Sequence, residues 1–407
     1  MAKARIFIAI HYMEIGGAEI SLVGLLQALD YERVDVDLFI YSHQGELMQF
    51  IPREVNLLPE IRKYSTTEMP LVKVLKMGYP DIVIARLLAK IKYHRFRKRN
   101  PSKISDDLGL YQYMANHVTP LLSKISKGVD YDLAINFCGM HNVVLDKVAA
   151  KKKIAWIHTD YSMVNTDRNC DYKLWRRFDH IVSISPDVTK SFISIYPSLK
   201  DKIIEIENIL SPEFVRSRAE AFDARGELAE NAPTSSVNLL SVGRYCEAKN
   251  YDNVPAIARS IIDNHGIEDL RWFIIGYGGD EALIRRKIAE AGMERHVILL
   301  GKRDNPYPYI KACDIYVQPS RYEGKSVTVR EAQMLCKPVV VTNYPTASSQ
   351  IRNGIDGVIV QLDNDGCARG IADFIADSPL QQRITDYLAT HDYGNEAEVN
   401  KIYQLLR

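Results

Sequence analysis

The sequence predicts an α/β protein made of two doubly wound, Rossmann-like domains with parallel sheets. Three observations predict it. Short apolar runs rich in Val, Ile and Leu recur along the chain without polar alternation, the pattern of strands buried on both faces of a sheet. Stretches of helical spacing, such as 18–29, 253–263 and 280–291, separate these runs and give βαβα order. The alternation pauses between about 210 and 235, where SPEFVRSRAEAFDARGELAENAPTSS is polar, carries Pro212 and Pro233, and reads as an interdomain connection.

The strands expected in the first half are 5–10, 34–40, 132–137, 153–157, 179–184 and 202–206. Those in the second half are 237–242, 271–275, 296–300, 314–317, 338–342 and 357–360. One domain is placed at 1–208 and the other at 209–393, with 394–407 as a last amphipathic helix that completes the first. At roughly 100 to 200 residues per domain, the 407 residues are long enough for two or three full cores.

Composition narrows the function classes. Hydrophobic residues make up 46% and charged residues 25%, with a formal net charge of +1. That balance supplies no chain-wide field for nucleic acid, and no nucleic-acid partner is expected. The six cysteines, Cys138, Cys170, Cys246, Cys313, Cys336 and Cys367, form no CxxC and no zinc-spaced cluster. They read as free thiols in a reducing cytosol. The apolar run 6–10 is too short for a secretory leader, and no run of about 18 apolar residues is present to cross a membrane. The expected place is cytoplasmic, with the inner face of the cell membrane as its peripheral site.

In open α/β sheets, ligands bind beyond the carboxyl ends of the strands, where loops and helix N-termini converge. The stretch 319–342, PSRYEGKSVTVREAQMLCKPVVVT, fits that position. A strand ends before it, and a loop carries Glu323, Gly324, Lys325 and Ser326. A helix then starts near Ser326 to Thr328 and carries Glu331, and another strand closes the unit. The helix N-terminus offers unpaired N–H groups and about half a positive charge, suited to a phosphate. The bland readings are a capping box from Thr328 to Glu331 and a solvated loop carboxylate at Glu323.

The frame PS..EG......EA....KPVV, with seven residues between Glu323 and Glu331, resembles the retaining glycosyltransferases of family 4, which have the GT-B fold of two facing Rossmann-like domains and an interdomain cleft. The resemblance implies that Glu323 contacts the donor sugar and that Glu331 hydrogen-bonds the nucleotide ribose. The family's usual EGFG-like run is here Glu323-Gly324-Lys325-Ser326, whose amides, with that of Val327, suit a phosphate. In LLSVGRYCEAKNYDN, Arg244 and Lys249 follow a strand and resemble the family's GR....K element, which holds the donor diphosphate. An Arg fork and a Lys point charge suit a leaving group on which negative charge builds. Gly276, in Gly276-Tyr277-Gly278-Gly279, resembles the family's GxG turn, and a tight connection explains it equally well. Lys302 stands where the family places residues near the base.

In the first half, Gly16 and Gly17 open a helix after the first strand and resemble the family's N-terminal GG loop. His158, in Trp156-Ile157-His158-Thr159-Asp160, follows a strand, where relatives place a His at the reaction centre. His11, His141 and Asp160 are weaker candidates. Asp35-Val36-Asp37 lies at a strand start with both carboxylates on one face, so it is not read as a metal-nucleotide site. No metal and no cofactor are expected. The donor substrate is a UDP-sugar or a GDP-sugar, and the acceptor is a glycan or a lipid-linked sugar.

The segment 81–100, DIVIARLLAKIKYHRFRKRN, carries seven Lys or Arg and one Asp. With Ile82, Val83, Ala85, Leu87, Leu88 and Ile91 it reads as a basic amphipathic helix, so 82–99 is a candidate for peripheral contact with an anionic membrane, a solvated helix face being the other reading. The resemblance implies sugar transfer with retention at the anomeric carbon, in surface polysaccharide synthesis. A nucleotide-sugar epimerase and a non-catalytic two-lobed sugar-binding protein are the alternatives.

Overall fold

The structure is a computed structural model that describes residues 3–101, 106–230 and 236–406. The chain divides into two compact units, one comprising Met1–Ile209 and Asn395–Arg407, the other Leu210–Gly394.

The N-terminal unit is a seven-stranded parallel sheet. Its strands are β1 (Ala4–Ile10), β2 (Val34–Ile40), β3 (Asn56–Leu57), β5 (Tyr131–Asn136), β6 (Ala150–Ile157), β8 (His180–Ser183) and β9 (Ile203–Glu205), in the order β3-β2-β1-β5-β6-β8-β9. A separate two-stranded pair joins β4 (Asp106–Asp107) to β7 (Val164–Asn165). The central strands bury both faces, as a sheet covered by helices must: Ile6, Ile8, Leu38, Ile135 and Ile154 have no exposed surface. Residues from the second segment pack on this unit. The Asp30 amide donates to Tyr403 Oη at 2.6 Å, the Arg33 guanidinium lies over the Tyr403 ring, and Lys152 Nζ donates to the Leu405 carbonyl at 3.0 Å.

The C-terminal unit is a six-stranded parallel sheet of β10 (Val237–Val242), β11 (Leu270–Ile275), β12 (Val297–Gly301), β13 (Ile315–Gln318), β14 (Val339–Thr342) and β15 (Val358–Val360). The order is β12-β11-β10-β13-β14-β15, so the winding direction reverses between β10 and β13. Leu239, Leu270, Trp272, Ile274 and Val340, with Ile257 and Ile261 of the helix Val254–His265, form its core. One polar group inside it is fully engaged: Ser241 Oγ accepts from Trp272 Nε1 at 2.9 Å and donates to the Val317 carbonyl at 2.6 Å.

All twelve expected strands occur, with ends shifted by up to three residues. The connection at 211–236 differs from its expectation. It forms two helices, Pro212–Ala219 and Arg225–Glu230, that bury Val215, Ala219 and Leu228. Pro212 occupies the first turn, where its missing N–H costs nothing, and Ser211 caps that turn. Asn305 Nδ2 then ties the Arg218 carbonyl at 2.7 Å. Pro233 and the adjoining 231–235 lie outside the described residues.

The helix Pro80–Arg99 also differs. Its spacing was expected to give one apolar surface, and it gives two. Ile82, Ala85 and Ala89 are buried within the unit, while Ile84, Leu87, Leu88 and Ile91 form a second stripe at i, i+3, i+4, i+7 that is 44–58% exposed.

The sheet ends in the C-terminal unit are packed backbone against backbone. A Cβ on Gly276 would lie 1.9 Å from the Gly243 carbonyl oxygen, whereas one on Gly279 would meet nothing within 4 Å. Gly276→Ala should therefore destabilise the fold by about 2 to 3 kcal/mol, and Gly279→Ala should stay within about 0.5 kcal/mol. The urea midpoint at constant m-value measures both.

Candidate active site at the strand ends of the C-terminal unit

The reversal between β10 and β13 leaves a place where two adjacent loops diverge, the usual ligand position of such sheets. Gly243, Arg244 and Lys249 leave β10, and Ser320 and Glu323 leave β13. Beyond the strands the backbone stays paired. The Gly243 amide donates to Ile275 at 3.0 Å, Tyr245 to Tyr277 at 2.8 Å, and Gly276 to Gly301 at 3.0 Å. The loops therefore stand on a continued ladder.

Lys249 closes the 3₁₀ turn Glu247–Lys249, which ends with Asn250 in the left-handed region at φ 62°. Its stem runs over Gly243, where a Cβ would come within 3.1 Å of Lys249 Cε. Lys249 Nζ reaches Glu323 Oε1 at 2.6 Å, with side chains only 18% and 12% exposed. Glu323 Oε1 also accepts from Ser320 Oγ at 2.6 Å and from Gln318 Nε2 at 3.2 Å. A second ion pair joins the same two loops. Arg321 holds Asp252 through both nitrogens at 2.9 and 2.8 Å, and its amide donates to the Ala248 carbonyl at 2.8 Å.

Glu331 lies on the helix Val327–Met334 and has no exposed surface. Its Oε1 accepts from Tyr307 Oη at 2.7 Å, and its Oε2 is buried without a partner. Burial pushes the carboxyl up to about 7, against the pull of the Tyr307 hydrogen bond. The capping-box reading of Thr328 and Glu331 is not what forms: the N-cap is Ser326, and its side chain makes no cap bond. The Ser326 amide is already engaged by Gln350 Oε1 at 3.0 Å, so of the run Gly324, Lys325, Ser326 and Val327 that amide is not open to a ligand as the chain stands. Ser326 Oγ lies 3.1 Å from Thr328 Oγ1.

Arg244 is exposed and makes no hydrogen bond or ion pair among the described residues, which leaves its fork available. Lys302 is exposed and places its ammonium 5.2 Å from the centre of the Tyr277 ring. Glu323, Arg244 and Lys249 thus stand on two adjacent loops, with Glu331 one helix further in.

In the N-terminal unit, His158 follows β6 as expected. Its Nε2 lies 2.9 Å from the Phe137 carbonyl and its Nδ1 is buried without a partner. Burial pushes its pKa down to about 4, so the ring is neutral near pH 7 and Nε2 carries the proton toward that carbonyl. His141 is likewise pushed down to about 4 by burial and stands edge-on to Trp175. Gly16 is the N-cap of the helix Gly17–Ala28, and a Cβ there would lie 2.3 Å from Glu19 Oε2. The buried Glu19 also faces His11 Nε2 at 3.5 Å, so this helix start already has an acidic side chain of its own. Asp160 caps a short turn through the Ser162 amide. Asp37 accepts from Tyr131 and Asn56, and Asp35 faces Lys3, so the two carboxylates have separate partners.

Several members escaped the sequence reading. Gln318 and Ser320 were visible as polar residues at the end of an apolar strand. Tyr307, Asp252 and Gln350 lie 24 or more residues from their partners and left no local signal.

Glu331 gives a signed prediction. Its folded pKa is raised above the ordinary 4.5, so the folded state holds a proton that the unfolded chain releases. Stability from this group is full below pH 4.5 and is lost as pH rises through 7. Between those values wild type should lose on the order of 3 kcal/mol relative to Glu331→Gln, read as the difference in slope of urea stability against pH.

Residues 228–390 match the family model described as glycosyl transferases group 1, a span that holds Arg244, Lys249, Glu323 and Glu331. The lipopolysaccharide core biosynthesis glycosyltransferase LpsE of Rhizobium meliloti is 25% identical over 181 residues, 43% of this chain and 51% of that protein. The UDP-Gal:alpha-D-GlcNAc-diphosphoundecaprenol alpha-1,3-galactosyltransferase of Escherichia coli is 30% identical over 146 residues, 34% of this chain and 37% of that protein. The matched stretch thus spans about half or less of the length of these curated relatives. A crystal structure of Anabaena HepE in complex with UDP and glucose superposes with a TM-score of 0.69, covering 98% of both chains at 14% identity. That identity makes it a likeness of fold, and the fold is the GT-B type of two parallel-sheet α/β units. Over residues 228–390, the chain is similar to the glycosyl transferases group 1 family.

Proposed function

We propose that the protein is a retaining, metal-independent glycosyltransferase that moves a hexose-like sugar from a UDP- or GDP-sugar to a glycan or lipid-linked acceptor. The observation that carries this reading is the Lys249–Glu323 pair at the strand-order reversal of the C-terminal unit. It sets a cation for a phosphate beside a carboxylate for a sugar. In this mechanism Arg244 and Lys249 hold the diphosphate and offset the charge that builds as the glycosidic bond breaks, which leaves no step that needs a metal ion. The leaving phosphate oxygen takes the acceptor proton on the face from which the sugar departs, which retains the anomeric configuration. Glu323 orients the sugar. The unpartnered Oε2 of Glu331 suits a ribose hydroxyl donor, and the start of the helix Val327–Met334 suits a phosphate. Lys302 is assigned to the base, and Gly276 to the turn beside the phosphates. His158, Gly16 and Gly17 are assigned to the same reaction by resemblance alone.

A lipid-linked acceptor, the kind named for the Escherichia coli relative, agrees with a cytoplasmic enzyme peripheral to the inner face of the membrane. The surface for that contact is the exposed stripe Ile84, Leu87, Leu88 and Ile91, with Lys90, Arg95, Lys98 and Arg99 exposed on the same helix. The neighbouring helix Leu71–Lys76 adds the exposed Val72 and Leu75. No helix among the described residues is long and apolar enough to cross a membrane.

A thermal-shift screen with UDP, GDP, ADP and CMP and their sugars, without metal, tests the donor. At 100 times its dissociation constant a ligand should stabilise the fold by about 2.7 kcal/mol. One nucleotide diphosphate should stabilise wild type, with a smaller shift in Arg244→Ala and in Glu331→Ala. No response to any of them would move the sugar-binding alternative forward, and donor conversion without acceptor would favour the epimerase.

For the membrane, wild type should float with phosphatidylglycerol vesicles. Near an anionic surface each basic residue is worth about 1 kcal/mol, so the triple change Lys90→Gln, Arg95→Gln, Lys98→Gln should weaken partition about 100-fold. Equal recovery of the two proteins would remove the contact.

A further inference from the structure

We infer that Gln318 and Ser320 are positioning residues that turn the Glu323 carboxylate so that Oε1 faces the protein and Oε2 faces the donor sugar. The inference rests on the donor-site reading above and adds to it which oxygen is presented and what presents it.

All three donors to the Glu323 side chain converge on Oε1: Lys249 Nζ at 2.6 Å, Ser320 Oγ at 2.6 Å and Gln318 Nε2 at 3.2 Å. Among the described residues no hydrogen bond reaches Oε2. A carboxylate held by one oxygen in this way has a defined rotation about its last torsion, otherwise a broad and soft one.

The bonds of the chain run in one consistent direction. Tyr316 Oη donates to Gln318 Oε1 at 2.8 Å, and Thr328 Oγ1 approaches the same oxygen at 3.3 Å. Those donors fix the Gln318 amide with its NH2 group toward Ser320 and Glu323. Gln318 Nε2 donates to Ser320 Oγ at 2.8 Å, which leaves the Ser320 hydroxyl proton for Glu323. Gln318 and Ser320 have no exposed surface, so water does not compete for these bonds. Ser320 is itself anchored, its carbonyl accepting from Thr342 Oγ1 at 2.6 Å. A buried, directed chain of this kind holds its terminal group more firmly than any single bond would. Lys249 has three ammonium protons and one is engaged by Oε1, so two remain for a phosphate. The same ammonium thereby fixes the distance between sugar-facing carboxylate and leaving group.

A sugar hydroxyl or the developing positive charge at the anomeric carbon meets Oε2 only in the orientation that this chain sets. Removing Ser320 Oγ frees the torsion without touching the nucleotide's own contacts. The defect therefore belongs in turnover and not in nucleotide binding.

The test is UDP affinity by calorimetry together with steady-state release of UDP from UDP-glucose, UDP-galactose and UDP-N-acetylglucosamine, and the GDP equivalents with GDP-mannose. The proteins compared are wild type, Ser320→Ala, Ser320→Thr and Gln318→Met. Ser320→Ala and Gln318→Met should keep nucleotide affinity within about twofold and lower kcat at least tenfold, with KM for the donor within about threefold. Ser320→Thr, which restores the hydroxyl, should recover most of kcat. Retained nucleotide binding shows that the variants fold. Wild-type kcat in Ser320→Ala, or loss of nucleotide affinity in step with kcat, overturns the positioning role while leaving the transferase reading intact. A wild type that binds neither nucleotide overturns the reading itself, and the inference with it.

Discussion

The pairing of Lys249 with Glu323 is the interaction around which the strand ends of the C-terminal unit are built. Neither side chain is more than 18% exposed, so each would be a costly buried charge without the other. Removing one partner leaves the other's charge with reduced access to water, which destabilises the strand ends. Many surrounding features serve it. Gly243 leaves room for the lysine stem, Asn250 takes the left-handed turn that ends its 3₁₀ segment, and Arg321 with Asp252 clamps the two loops together. The sheet supplies the rest, since β10 and β13 are neighbours only because the winding direction reverses there.

Most of the fold was legible in the sequence because parallel strands buried on both faces leave continuous apolar runs. Val34–Ile40 and Val237–Val242 were read to the residue. What failed did so for identifiable reasons. The two-residue strands β3, β4 and β7 are too short to carry a period. The segment 211–236 looked like a linker because its helices are short and mostly polar, and only the spacing of Val215, Ala219 and Leu228 betrayed buried faces. In Pro80–Arg99, Ile82 and the alanines at 85 and 89 carry the packing while Ile84, Leu87, Leu88 and Ile91 face outward, so size was a poor guide to burial.

The site was legible in part. Glu323, Lys249 and Arg244 could be placed from the frame of residues after two strands, and they do stand on adjacent loops. The state of Glu331 could not be read. The sequence offered a ribose contact by resemblance, with a capping box as the bland alternative, and only the fold shows a fully buried carboxylate with Tyr307 on one oxygen and nothing on the other. The same holds for Ser326, whose amide meets Gln350 from a short helix 24 residues on. Partners distant in sequence set these properties, and local pattern carries no record of them.

The division of the chain has a consequence for synthesis. The C-terminal unit is one contiguous stretch, whereas the N-terminal unit is closed by Asn395–Arg407, which follows it in sequence. On a ribosome the sheet of the N-terminal unit emerges first, yet its surface around Asp30, Arg33 and Lys152 lacks Tyr403 and Leu405 until the inserted unit has been made. At the usual 5 to 20 residues per second that interval is on the order of 10 to 40 s, long enough for the inserted unit to fold on its own before the first can be sealed. The last unit to begin is thus the first that can finish.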